Sequence, residues 1–174
     1  VSQTPVGEPF DESTALGPLV SEVQRDRVRS YIEKGVEEGA RLVTGGERDG
    51  AVVSPAIVAD VRPEMAIARD ELFGPAVAVS RIGGVADAIA VANDSEYGLA
   101  AGIFTSDVSA ALRFARDVDC GNVMVNATPL WRADAMPYGG LKGSGIGKEG
   151  PRYAIEEMTE LKTVVFHELD RETP

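Results

Sequence analysis

The 174 residues contain one cysteine, one histidine and one tryptophan, and each scarcity removes a class of chemistry. A lone thiol, Cys120, excludes an internal disulfide and a thiolate metal cluster, which points to a reducing, cytoplasmic compartment. His167 is the sole imidazole. That argues against Ser-His-Asp and Cys-His arrangements and against multi-histidine metal sites, which need imidazole as base or ligand. Basic residues are few as well: 17 Lys and Arg face 28 Asp and Glu, for a formal charge of −11. Nucleic acid and anionic membrane are poor partners for such a chain, since both are held by clustered cations. No apolar run approaches the roughly 20 residues that span a bilayer, and no signal-peptide pattern opens the chain. A soluble protein is the expectation. The start at Val1, within an irregular stretch, reads as the middle of something longer.

What is present is 44% hydrophobic residues, enough for one core. Ser21 and Gln24 have the spacing of a capping box for a first helix that ends near Gly39, with Val28, Tyr31, Ile32 and Val36 as its apolar stripe. Strands are predicted at Arg41 to Thr44, Val52 to Val58 with a break at Pro55, Ala76 to Ile82, Ala100 to Thr105, Gly121 to Val125 and Leu161 to Phe166. Helices are predicted at Met65 to Leu72, Ala86 to Asn93, Val108 to Val118 and Pro151 to Met158. The third of these is capped by Ser106 or Asp107 and turns Leu112, Ala115 and Val118 inward. This alternation predicts the α/β class: a mostly parallel twisted sheet with helices on both faces.

Four places invite a chemical reading. The long loop from Asn126 to Gly150 carries glycines at 139, 140, 143, 145, 147 and 150, which suit positive φ or close packing, and its Trp131, Met136 and Tyr138 suit a pocket wall. Within it, Gly145-Ile146-Gly147-Lys148-Glu149-Gly150 matches G-x-G-x-x-G, with Asp170 about 20 residues on, yet no strand leads into the first glycine as dinucleotide binding requires. A packed turn is the simpler account. Arg69 to Pro75 places an acidic pair and an aromatic at a helix-to-strand break, which either ends a helix or offers Glu71 to vicinal sugar hydroxyls with Phe73 as a stacking face. Arg132 makes either a surface ion pair with Asp134 or an anion site. Cys120, with no base or oxyanion loop nearby, reads as a packing thiol, and His167 as a solvated residue.

Taken together, Gly17-Pro18-Leu19-Val20-Ser21, Asp70 to Pro75, Asn93 with Tyr97-Gly98-Leu99-Ala100, Val125-Asn126, Pro137 to Lys142, Ser144 to Glu149, and Thr159 with Lys162 resemble the aldehyde dehydrogenase superfamily. The resemblance implies NAD(P)-dependent oxidation of an aldehyde to an acid through a cysteine nucleophile and a water-activating glutamate. Neither has its family surroundings in this chain, so the resemblance implies part of a catalytic domain over residues 1–160, inactive alone, and an oligomerisation tail strand over 161–174. It assigns Glu71, Phe73 and Leu99 to NAD or NADP, and Trp131, Arg132 and Tyr138 to the aldehyde pocket. No residue of the chain is assigned a catalytic role. The string from Trp131 to Pro137 with Glu149 to Thr159 is similar to the branch acting on lactaldehyde, phosphonoacetaldehyde or glyceraldehyde 3-phosphate. A homo-oligomer joined by the tail is implied as well. Competing expectations are a free-standing nucleotide-binding module and a pure association domain.

Overall fold

Helix α1 (Glu22–Glu37) starts where the Ser21 hydroxyl accepts the Gln24 amide at 3.2 Å and stops short of Gly39, which has a φ of 104°. The cap is as anticipated, but the box is not closed: the Gln24 side chain turns away to another partner. After α1 come β1 (Arg41–Thr44), β2 (Arg48–Asp49), β3 (Val52–Val53), β4 (Ala56–Ala59), α2 (Ala66–Arg69), β5 (Ala76–Val79) and α3 (Val85–Asn93). Val1 and residues 3–167 are described by this computed structural model, and the backbone divides into units Val1–Val91 and Ala92–Pro174.

In the first unit β4 lies between β1, antiparallel to it, and β5, parallel to it, with Ala56 opposite Ala76 and Ala59 opposite Val79. Alternate residues of β4, Ala56 and Val58, join Val28 and Ile32 of α1, Met65 and Ile67 in one core. The anticipated α1 stripe is therefore half right. Val28 and Ile32 are buried, whereas Val36 is exposed and Gly35 sits inward against Ile67. The predicted Val52 to Val58 segment divides into β3 and β4 on either side of Pro55, and β3 forms a hairpin with β2, a two-residue strand that the sequence does not mark.

The second unit contains β6 (Tyr97–Gly98), β7 (Ala100–Ile103), α4 (Val108–Asp117), β8 (Asn122–Val125), β9 (Leu141–Lys142) and α5 (Pro151–Met158). Strands β7 and β8 run parallel, pairing Ala100 with Asn122 and Ile103 with Val125. Strands β6 and β9 pair antiparallel. Asp107 caps α4 by accepting the Ser109 and Ala110 amides at 2.8 and 3.2 Å. Val118 is buried as expected, but the α4 residue buried with it is Phe114, while Leu112 and Ala115 are exposed. A bulky ring four residues before Val118 outcompetes the smaller stripe one position away.

The α/β class stands, with parallel pairing in one ladder of each unit. The predicted last strand, Leu161 to Phe166, forms no ladder within the chain; residues 161–167 are irregular and exposed. A strand is defined by its neighbour, and among the described residues this segment has none. Residues 168–174, with Asp170, lie outside the described residues.

Candidate functional site

In the first unit the acidic-aromatic bend between α2 and β5 is fastened to one side of α1. Tyr31 donates its hydroxyl to Asp70 Oδ2 at 2.5 Å, Arg27 Nη2 donates to the Glu71 carbonyl at 2.9 Å, and Gln24 Nε2 donates to the Leu72 and Phe73 carbonyls at 2.8 and 2.9 Å. Gly74 is pressed onto α1 so closely that a Cβ there would stand 2.3 Å from Val28 Cγ2. Phe73 is held at a φ of 49°, with its side chain 72% exposed. A non-glycine residue in that region costs on the order of 1–3 kcal/mol and persists only where its surroundings impose it. Here they do.

The bend thus turns a carboxylate and a phenyl ring outward. Among the described residues nothing donates to the Glu71 carboxylate, so both oxygens are open to a vicinal diol, and the exposed Phe73 ring gives a flat aromatic group a face to lie on. A carboxylate acceptor beside a flat apolar face is the chemistry that could hold a ribose diol and a planar ring.

In the second unit a cleft of about 490 Å³ opens along β8, lined by Asn122, Met124, Ala127, Trp131, Met136 and Pro137 among others. Of the three pocket residues named from sequence, Trp131 lines it. Arg132 and Tyr138 do not; they stand on the same loop. Arg132 pairs with Glu149, Nη2 to Oε2 at 2.8 Å, rather than with Asp134, and its guanidinium lies 4.5 Å from the Tyr138 ring centroid. Tyr138 and Glu149 are in turn bridged by reciprocal backbone hydrogen bonds of 3.1 and 2.6 Å. The exchange of Asp134 for Glu149 follows from that bridge, which carries a residue 17 positions away to the guanidinium. Leu99 sits between β6 and β7, 39% exposed, its carbonyl accepting from Asn122 Nδ2 at 3.1 Å.

The residues that brace this unit have no bracing role legible in the sequence. Asn122, 7% exposed, also donates to the Gly139 carbonyl at 3.2 Å, and Lys148 Nζ reaches the same oxygen at 2.8 Å. Asn93 donates to the Asp117 carbonyl and accepts the Asp119 amide, while Lys142 Nζ donates to the Asn93 and Ser95 carbonyls. In the sequence they show only as polar side chains clustered at strand ends.

The turn from Gly145 to Gly150 is built for packing. Positive φ occurs at 145, 147 and 150, and the two-residue β9 that precedes it is antiparallel to β6. The Glu157 carboxylate accepts the Lys148 amide at 3.1 Å and lies 2.9 Å from where a Cβ of Gly147 would be. A carboxylate of the chain itself already takes one of the backbone amides of this turn. Cys120 Sγ donates to the Asn122 carbonyl at 3.0 Å, and burial pushes the thiol above its usual pKa, the opposite of an activated nucleophile. His167 is exposed. No group of three or more acidic, Cys or His residues suited to a metal occurs among the described residues.

Similarity to known proteins extends over nearly the whole chain. A 3-sulfolactaldehyde dehydrogenase of Priestia aryabhattai is 46% identical over 162 residues, 93% of this chain and 34% of that protein. Aldehyde dehydrogenase 21 from Physcomitrella patens, solved with the reaction product succinate, superposes with a TM-score of 0.91 at 37% identity, over 97% of this chain and 35% of that one. A glyceraldehyde-3-phosphate dehydrogenase from Methanocaldococcus jannaschii, complexed with NADP, gives a TM-score of 0.89 at 40% identity, over 94% and 35%. The chain therefore spans about a third of the length of these relatives. The sequence pattern of the aldehyde dehydrogenase family matches residues 1–164, so the acidic-aromatic bend and the braced glycine loop both fall inside it, and the chain belongs to that family.

Proposed function

We propose that the protein carrying this chain oxidises a small polar or anionic aldehyde, of the lactaldehyde, phosphonoacetaldehyde or glyceraldehyde 3-phosphate type, to its carboxylic acid with NAD or NADP. The observation that carries the anionic preference is Arg132, flat against Tyr138, adjoining Trp131, with one exposed carboxylate as partner. An exposed Arg–Glu pair is worth about 0–1 kcal/mol, so a substrate anion replaces Glu149 at little cost. The planar guanidinium suits the paired oxygens of a carboxylate, sulfonate or phosphate. The similar proteins support this by name: one acts on a sulfonated aldehyde, one was solved with a dicarboxylate product and one acts on a phosphorylated aldehyde.

Glu71 accepts the ribose hydroxyls and Phe73 backs the nicotinamide, and Leu99 is a further dinucleotide contact. When bound, the nicotinamide supplies the hydride acceptor. Within these residues the only thiol is Cys120, whose surroundings keep it protonated, so the 174-residue chain by itself reduces neither NAD nor NADP. Residues 161–174 join copies of the protein in a homo-oligomer. In full-length protein, Arg132→Met lowers kcat/KM for an anionic aldehyde about 10- to 100-fold and leaves propionaldehyde nearly untouched. Equal changes for the two substrates, or none, would rule out the anion role.

A further inference from the structure

Gln24, Arg27 and Tyr31 recur at intervals of three and four, which places them on one side of α1. They meet the bend in reverse order, Tyr31 at Asp70, Arg27 at Glu71, Gln24 at Leu72 and Phe73. Three of the four acceptors are successive backbone carbonyls in a segment that belongs to neither helix nor strand. The Arg27 guanidinium also lies 5.5 Å from the Tyr31 ring centroid, so the two fastenings brace each other. On this side of the helix the core takes Val28, fully buried beneath Gly74, and Gly35, which packs on Ile67.

We propose that Arg27 and Tyr31 are positioning residues for the dinucleotide: without touching it, they hold Asp70 to Phe73 in the backbone conformation that aims the Glu71 carboxylate and the Phe73 ring outward. This rests on Glu71 and Phe73 being the dinucleotide contacts. The need arises at Phe73, whose φ of 49° relaxes to the ordinary negative region once its neighbours are released. Relaxation swings the ring and the adjacent carboxylate together. The binding-competent fraction then falls, and apparent affinity falls in proportion.

The test uses full-length protein with Tyr31→Phe, Arg27→Met and Asp70→Ala, read by hydrogen exchange of peptides covering residues 70–75 without ligand and by calorimetric titration with NAD and NADP. Each variant is expected to speed exchange in that segment and weaken dinucleotide binding about two- to tenfold, with KM for the aldehyde unchanged. Tyr31→Phe combined with Asp70→Ala weakens binding no further than either alone, because one bond is lost in all three. Unchanged exchange and affinity in the single variants would overturn the proposal, as would faster exchange spread evenly through α1 and the core, which marks a purely structural role. Asp70→Ala leaves α1 intact and keeps the question decidable should a helix variant fail to fold. Glu71→Gln separates the two levels. If it leaves affinity unchanged, the dinucleotide assignment itself falls; if it weakens binding while the Tyr31 and Arg27 variants do not, only the positioning role falls.

Discussion

The thiol of Cys120 donates to a backbone carbonyl, and burial raises its pKa, so at pH 8 it holds less thiolate than a free cysteine. Iodoacetamide should therefore label it more slowly than free cysteine at that pH, as followed by mass spectrometry, and labelling at or above the free rate would contradict the packing role. At Gly74 the prediction concerns volume. An alanine methyl would meet Val28, which has no exposed surface into which to retreat, so Gly74→Ala should cost about 1–3 kcal/mol in a denaturant titration. Single residues were legible in proportion to how local their chemistry is. Glu71 and Phe73 stood out because an acid and an aromatic adjoin a glycine and a proline, whereas the partner of Arg132 did not, because Glu149 reaches it only through the bridge to Tyr138.

At the level of elements, caps and breakers settled most boundaries. Asp107 accepts two amides at the start of α4, and Asp107→Ala should lower stability by about 1 kcal/mol, seen as a drop in Tm. The fastening of the bend to α1 has a pH signature. The hydrogen bond to Asp70 raises the pKa of Tyr31, so its contribution is complete below the unfolded tyrosine value near 10 and is lost as pH climbs through the higher folded value. Exchange at residues 70–75 should accelerate above about pH 10 in the native protein, beyond the intrinsic chemical rate, and show no such step in Tyr31→Phe. Two-residue strands such as β2, β6 and β9 left no mark in the sequence, since periodicity needs more residues than they contain. Inward faces were harder still. On α4 both the Leu112 and the Phe114 stripes have helical spacing, and only the folded chain shows that Phe114 is the buried one.

Across the molecule, both units leave apolar side chains uncovered. The first encloses a continuous cluster from Val28 to Ile67 while leaving Phe10, Val20, Val23 and Phe73 exposed, and the second leaves Phe104, Leu112, Leu130, Trp131, Ile155 and Met158 exposed. The isolated 174-residue chain should accordingly enhance the fluorescence of an apolar-surface dye, and baseline fluorescence would mean that this surface is covered in solution. Deleting residues 161–174 from the full-length protein should lower its mass in solution if the tail joins subunits; an unchanged mass would exclude it as the contact. Alternating strand and helix signals, turn residues and the run of family strings were sufficient for the α/β class and for membership of the aldehyde dehydrogenase family, because those features are written in residue order. Which atoms hold the bend, which carboxylate guards Arg132 and which residues line the cleft along β8 emerged only from the folded chain, because each depends on groups far apart in sequence meeting within a few ångströms.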